Sequence, residues 1–190
     1  DSEYKEVNKD AIVKSVKAAK ALSPDLIVAM LHWGSEWDTT VVSTQDKITD
    51  LLLTNGVDII LGSHPHVVGE MKQVPVTTVD GQQKTCFVAY SLGNFLSSPD
   101  SQKYDYAMES LILNLQITKN GSTGETALTG ISYTPLYILK TESDVEGTRY
   151  QVVPIRSAIN NNLFPEMNDA FTAAIAHLRT NTASDYDSGK

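Results

Sequence analysis

Residues 26–66 read LIVAMLHWGSEWDTTVVSTQDKITDLLLTNGVDIILGSHPH, and the order of the apolar runs in this stretch predicts the architecture. Residues 26–31 form a continuous apolar run of strand length, and residues 57–61 are apolar apart from Asp58; both runs are typical of strands buried on both faces. The pattern between them predicts a helix that begins at Ser43 and ends at Gly56, where glycine permits a left-handed cap. Strand, helix and strand joined by short connections form a βαβ unit, which requires a parallel strand pair covered by helices.

Polar residues mark the beginnings of the predicted helices. Asn8 or Asp10 is expected to cap a first helix, which ends before Pro24. At the second helix, Ser43 followed by Asp46 resembles an acidic variant of the capping box. The apolar positions of the first helix fall on one face at Ile12, Val16 and Ala19.

The remainder of the chain is rich in β patterns. The Asp80-Gly81 pair predicts a hairpin turn, and residues 111–117 alternate between apolar and polar, as a strand with one buried face does. The expected hairpin strands are 74–79 and 85–90, the later strands are 111–117, 126–138 and 150–154, and the last helix is 167–179. The sequence therefore predicts one α/β domain over residues 1–180, followed by a polar tail at 181–190.

Composition excludes several classes of protein. The 15 basic and 23 acidic residues give a net charge of −8, so nucleic acid is not an expected partner. The apolar runs are too short to cross a bilayer, and the single cysteine, Cys86, reads as a small buried hydrophobe. The sequence begins at Asp1 without methionine and enters a helix almost at once, so we expect a fragment or a processed product. None of the motifs GxGxxG, GxSxG, HExxH and CxxC, nor a P-loop, is present.

Three of the four histidines follow the two predicted strands. His32 ends the first apolar run, and His64 and His66 follow the second. Ligands of open α/β sheets bind beyond the carboxyl ends of the strands, and neighbouring strands lie about 4.8 Å apart. Neutral imidazole is the commonest metal ligand, so the sequence predicts a metal site built from these three rings.

The His64-Pro65-His66 tripeptide adds a geometric expectation. Proline fixes its own φ and moves the preceding residue towards an extended conformation. Residues two apart on an extended chain point to the same side. We therefore expect both imidazoles to be presented together by a stiff segment.

Other polar and aromatic residues surround these histidines. Glu36 is a candidate for orienting a histidine, with a solvated loop acid as the alternative. Asn94 is a candidate for contacting substrate or for capping a loop. Trp33 and Trp37 are interpreted as packing residues, and His177 as a surface or packing residue.

Three blocks of the sequence resemble one known family. They read HWGSEW at 32–37, GSHPHV at 62–67 and YSLGNF at 90–95. In this order and spacing they resemble the signature blocks in the C-terminal half of CapA-type proteins of capsule, or poly-γ-glutamate, synthesis. The similarity is close over residues 8–97.

The resemblance implies an α/β fold, the C-terminal portion of a calcineurin-like metallophosphoesterase sandwich with two mixed β-sheets flanked by helices. It implies that His32, His64 and His66 ligate a divalent metal (Mn, Fe or Zn), with two ions in the intact domain. Glu36 and Asn94 match the blocks and are candidates for orienting or substrate-binding roles. The aspartate-bearing first half of the family pattern is absent, and Ser63 stands where many relatives have histidine. We therefore expect this chain alone to bind metal weakly or singly and to be inactive.

The resemblance also implies a function in capsule synthesis and export. The expected activity is metal-dependent hydrolysis of a phosphoester or of an amide in the capsule polymer; the alternative is a non-catalytic scaffold or polymer-binding subunit of a membrane capsule complex. The expected partners are the polymer or a phosphoester substrate, membrane synthase subunits, and either the protein's own missing N-terminal segment or a second copy. The expected location is the extracellular face of the cell membrane, with an N-terminal anchor that this chain lacks.

Overall fold

The computed structural model describes residues 8–98, 106–143, 145, 147–183 and 186–189. The helices are α1 (Lys9–Lys20), α2 (Ser43–Asn55), α3 (Ile155–Asn160) and α4 (Asn168–Asn181), with a 3-10 turn at Pro165–Met167. The strands are β1 (Val28–His32), β2 (Ile59–Ser63), β3 (Met71–Thr77), β4 (Gln83–Ala89), β5 (Glu109–Lys119), β6 (Thr126–Ser143) and β7 (Gly147–Pro154). The predicted elements are confirmed, with ends that shift by a few residues, and α3 is an addition that the sequence pattern did not indicate.

The first sheet has the strand order β1-β2-β4-β3. β1 pairs with β2 in parallel, β2 pairs with β4 in parallel, and β3 and β4 form the antiparallel hairpin. The predicted βαβ unit is therefore β1, α2 and β2. Parallel pairing brings the carboxyl ends of β1 and β2 together, with His32 opposite Ser63.

The prediction that both strands of this unit are buried is wrong for β1. β2 is largely buried, whereas Val28 is 48% exposed and Met30 is 82% exposed. The reason is position: β1 is the edge strand, and the second sheet covers β2 and β4 but does not reach the face that carries Val28 and Met30. An apolar run predicts a strand, but it does not say whether a neighbour covers that strand.

The second sheet is antiparallel, in the order β5-β6-β7. It packs face to face on the first sheet, because one core cluster contains Ile59 and Phe87 of the first sheet together with Leu111 and Tyr133 of the second. A separate cluster places α1 and α2 on the outer face of the first sheet, and a third packs α3 and α4 against β6 and β7. The fold is thus an α/β sandwich of two sheets flanked by helices.

The helix caps follow the sequence in part. Asn8 caps α1 by accepting a hydrogen bond from the backbone N–H of Ala11 at 3.0 Å, as expected. The predicted Ser43/Asp46 capping box is wrong: Gln45 accepts from the backbone N–H of Val42 at 3.0 Å. Asp46 instead accepts a hydrogen bond from the Tyr90 hydroxyl at 2.9 Å.

The polar tail predicted at 181–190 makes specific contacts where it is described. Asp187 forms a bridge with Tyr133 of β6, and its buried carboxylate is paired with Arg156 and Arg179. These contacts hold the described end of the chain against the second sheet.

Candidate functional site

The rings of His32 and His64 meet at the carboxyl ends of β1 and β2. Their centroids are 4.4 Å apart and their planes are tilted by 40°. His32 is exposed and His64 is half-buried. The parallel register places His32 opposite Ser63, the residue before His64, and the Ser63 hydroxyl donates to the Leu31 carbonyl at 3.0 Å. The predicted convergence of the two strand ends is therefore present.

The backbone of the His64-Pro65-His66 tripeptide differs from the expected extended form. His64 has a φ of 105° and His66 has a φ of 62°, so both lie in the left-handed half of backbone space that non-glycine residues seldom occupy. The expectation of an extended backbone is therefore wrong; the two ring centroids lie 6.5 Å apart, and the ring planes differ by 55°. Local sterics favour an extended residue before proline, and the surrounding contacts override that preference here.

A hydrogen-bond chain fixes the orientation of His66. Its Nδ1 lies 2.8 Å from Oδ1 of Asn94, and Nδ2 of Asn94 donates to the carbonyl of Ala107 at 3.2 Å. Because a carbonyl can only accept, the amide nitrogen of Asn94 must face Ala107 and its oxygen must face His66. The His66 Nδ1 therefore carries the proton, which leaves the lone pair of a neutral ring on Nε2.

Trp37 covers one face of the same imidazole. The Trp37 and His66 rings stack with centroids 4.8 Å apart and planes 19° apart. The Trp37 backbone N–H donates to the Pro65 carbonyl at 2.8 Å, and its φ of 64° turns the indole towards the histidine. Interpreting Trp37 only as a packing residue missed this contact, which depends on a backbone conformation that the sequence does not signal.

Gly62 allows the strand ends to approach each other closely. A Cβ atom at this position would overlap the Tyr90 carbonyl oxygen and would lie 2.5 Å from Nε1 of Trp33. Trp33 is buried, as expected, and its Nε1 donates to the same Tyr90 carbonyl at 2.9 Å. The absence of a side chain at residue 62 therefore permits the contact that links the ends of β1 and β4 beneath the histidines.

Comparison with known families supports an assignment for the chain that contains this site. Residues 1–99, just over half of the chain, match the family model described as bacterial capsule synthesis protein PGA_cap. The chain belongs to the PGA_cap family. The matched residues include the three histidines, Trp37 and Asn94.

Two curated relatives of this PGA_cap chain are CapA proteins. The chain is 29% identical over 119 residues to the capsule biosynthesis protein CapA of Bacillus anthracis, which covers 61% of this chain and 26% of that protein. It is 32% identical over 107 residues to the PGA biosynthesis protein CapA of Bacillus subtilis (strain 168), which covers 56% of this chain and 25% of that protein. The aligned part thus spans about a quarter of the length of these relatives.

Glu36, the predicted orienting acid, does not contact a histidine in the way that Asn94 does. Glu36 lies exposed in the loop after β1, and among the described residues no histidine donates a hydrogen bond to its carboxylate. Its orienting role stays a prediction. The contact of Asn94 with His66 favours positioning over loop capping, and a substrate-binding role for its amide stays a prediction.

The side chains at the site of this PGA_cap chain are of a type that ligates divalent metals, but too few of them lie close together. His32 and His64 are adjacent, and Nε2 of His66 has its lone pair available. However, across the described ranges no three histidine, cysteine, aspartate or glutamate side chains lie close enough together to hold an ion. The described residues therefore do not by themselves provide the three side chains that a metal site of this kind needs. The metal-ligand roles of the three histidines stay predictions.

Residues 106–110 take part in the site although sequence reasoning gave them no weight. Ala107 accepts from Asn94, and the Ser110 hydroxyl donates to the Asn94 carbonyl. Next to them, Glu109 is buried and lies 2.7 Å from Nδ1 of His177. Burial raises the pKa of the Glu109 carboxyl, and its hydrogen bond to His177 offsets this in part.

No helix in the described part of the PGA_cap chain is long and apolar enough to cross a membrane.

Proposed function

We propose that this chain is part of a cell-envelope protein of capsule synthesis, in which it supplies the histidine side of a metal-dependent hydrolase centre. Membership of the PGA_cap family supports the capsule role. The observation that carries the chemical proposal is the 4.4 Å contact of the His32 and His64 rings at two adjacent strand ends. Two imidazoles in van der Waals contact at an exposed sheet end suit a shared ligand better than a structural role.

Each residue of the site has a defined task in this proposal. His32 and His64 donate nitrogen lone pairs, and His66 donates through Nε2 because Asn94 accepts from its Nδ1–H. Trp37 restricts rotation of the His66 ring by stacking on it. A bound divalent cation (Mn, Fe or Zn) would supply Lewis-acid activation of water and of the bond to be cleaved. The substrate class is a phosphoester, or an amide of the capsule polymer.

The site is completed, in this proposal, by groups outside the described residues. Hydrolytic centres with two ions need a bridging ligand between metals about 3.5–4 Å apart, and the three imidazoles alone do not provide one. We therefore expect the 190-residue chain alone to be inactive.

The test uses a protein of the relatives' length that contains this chain. Manganese-dependent hydrolysis of a phosphodiester substrate is expected, with loss of turnover in His64→Ala and in His66→Ala. Asp25→Asn, at the opposite end of the first sheet, is a suitable control because its carboxylate is exposed and pairs with the exposed Lys119. Full activity of both histidine variants would overturn the assignment.

The incomplete donor set favours a second candidate, a non-catalytic scaffold or polymer-binding subunit of a membrane capsule complex. Saturable binding of poly-γ-glutamate by metal-free protein without hydrolysis would support this candidate. The net charge of −8 opposes it, because an anionic polymer is repelled unless a cation or a local basic patch intervenes.

Location and partners form the last part of the proposal. We place the protein of relatives' length at the extracellular face of the cell membrane, in contact with membrane synthase subunits. Cell fractionation followed by protease treatment of intact cells tests the location. For the isolated chain we propose a second copy as the partner along the exposed edge of β1, since identical edges can pair about a two-fold axis.

A further inference from the structure

A buried acid and a half-exposed histidine join the beginning of β5 to α4. Glu109 is 6% exposed, and its Oε1 lies 2.7 Å from Nδ1 of His177. Its other oxygen, Oε2, is buried and has no hydrogen-bond partner among the described residues. His177 is therefore the only hydrogen-bonding partner that the described residues provide for this carboxylate.

The segment that carries Glu109 is the one that holds Asn94. Residues 107–110 are all buried, and Glu109 is the one charged residue among them. Ala107 accepts the hydrogen bond from the Asn94 amide. Ser110 donates its hydroxyl to the Asn94 carbonyl and forms an isolated β-bridge with Gly93. Asn94 is thus hydrogen-bonded to Ala107, which precedes Glu109 in the chain, and to Ser110, which follows it.

We propose that the Glu109–His177 pair is a positioning pair, which holds residues 107–110 in register so that Asn94 fixes the protonated nitrogen of His66. The contacts run from His177 to Glu109, along the backbone to Ala107 and Ser110, then to Asn94 and finally to His66. A buried carboxylate that loses its partner must move towards water or take up a proton. Movement of the Glu109 side chain towards water displaces the segment that holds the Asn94 amide.

The surroundings of His177 limit the positions that its ring can adopt. The ring of Tyr106 packs edge-on against it, with centroids 4.7 Å apart. His177 lies in the middle of α4, whose buried face carries Phe171, Ala174 and Leu178. The helix is therefore anchored to the core independently of the hydrogen bond to Glu109, so removal of the His177 ring leaves α4 in place and removes that contact.

The experiment measures the tautomer of His66 in the 190-residue chain by long-range ¹H–¹⁵N NMR at a pH where the ring is neutral. In the parent chain the proton is expected on Nδ1. In His177→Ala and in Glu109→Ala the His66 signals are expected to shift towards a mixture of the two tautomers. Glu109→Gln keeps an oxygen that accepts from His177, so it is expected to retain the parent signature.

Asp58→Asn is the matched control, because Asp58 is also a partly buried carboxylate in an ion pair, with Lys84, but it lies at the opposite end of the first sheet. It is expected to leave the His66 tautomer unchanged. An unchanged tautomer in folded His177→Ala, or an equal change in Asp58→Asn, would overturn the proposal. The functional importance of the pair rests on the proposed role of His66, but the NMR measurement requires neither metal nor turnover. A failure of the pair is thus distinguishable from a failure of the hydrolase proposal.

Discussion

The imidazoles of His32 and His64 are in ring contact at 4.4 Å, although they belong to different strands and are separated by the whole of α2. The contact follows from the parallel register of β1 and β2, which ends both strands at the same level. Parallel neighbours joined by a crossover helix therefore place two distant sequence positions within reach of one ligand. The first prediction tests this arrangement directly.

We expect the isolated chain to bind one zinc ion weakly through this histidine pair. His32→Ala or His64→Ala should each lower the affinity at least about ten-fold, because each removes one nitrogen donor. Isothermal titration calorimetry measures the effect. Glu142→Gln, an exposed acid on β6, is the control and should bind as the parent does. Parent-like binding by both alanine variants would contradict the shared site.

Asn94 should contribute to stability as well as to the orientation of His66. Its side chain is buried and bonded to His66 and to Ala107. Asn94→Leu, of similar size, would leave the Ala107 carbonyl without its donor. We expect a loss of about 1–3 kcal/mol in the free energy of unfolding, measured by urea denaturation. The exposed Asn114, changed to leucine, should shift this free energy by no more than about 0.5 kcal/mol; equal losses in the two variants would argue against a specific network.

Gly62→Ala tests the close approach beneath the histidines. The added methyl group would overlap the Tyr90 carbonyl, which belongs to the backbone and cannot rotate away. We expect a loss of at least about 3 kcal/mol, above the usual range for overpacking by a side chain, or failure to fold. Gly121→Ala is the matched control, since a methyl group there would meet no atom within 4 Å. Urea denaturation of the two variants provides the comparison, and a parent-like Gly62→Ala would rule out the tight contact.

Periodicity and turn chemistry were sufficient to predict the βαβ unit and the hairpin. The apolar stripe of α2, its glycine cap and the Asp80-Gly81 turn are local signals, and each lies where the sequence placed it. The burial of β1 was not predictable in the same way. The run that includes Met30 resembles a doubly buried strand, but the neighbours that decide burial are remote in sequence.

The candidate site was predicted as a set of residues but not as a geometry. The three histidines and Asn94 were identified from their positions after strands and from the family resemblance. The positive φ of His64 and His66 could not be foreseen, because the local preference before proline favours an extended chain. Tertiary contacts overrode that preference. The same contacts created the stacking of Trp37 on His66, for which the sequence carries no separate signal.

Asp187 should make stability sensitive to acid. Burial alone would raise the pKa of its carboxyl, but hydrogen bonds from Arg156 and the Gly189 N–H, with the charges of Arg156 and Arg179, outweigh it and hold the pKa below the usual 3.8. Because the pKa of Asp187 is lower in the folded chain than in the unfolded chain, its carboxylate stabilises the fold at any pH above the unfolded-state pKa. This stabilisation is lost as the pH falls through the folded-state pKa. Asp187→Asn should therefore cost about 1–3 kcal/mol at pH 7, and the difference from the parent should shrink below pH 3.8.

Urea denaturation at pH 7 and at pH 3 measures this difference. Glu142→Gln is again the control, because Glu142 is an exposed acid paired with Lys140, and it should show little difference from the parent at either pH. A cost for Asp187→Asn that stays the same at both pH values would show that the carboxylate does not stabilise the fold through its charge.

The exposed edge of β1 should make the isolated chain self-associate. Met30 is 82% exposed in the middle of this strand, and no strand of the described residues pairs with its outer edge. Edge strands with apolar side chains pair with other copies, and an added lysine opposes this pairing. Met30→Lys should therefore shift the chain towards monomer with little change in the free energy of unfolding, since the side chain is already in water. Leu22→Lys adds the same charge at an equally exposed residue away from the edge, and it should leave the association unchanged. Sedimentation velocity over a range of concentrations separates these outcomes, and a parent chain that stays monomeric at the highest concentration would remove the edge as a contact surface.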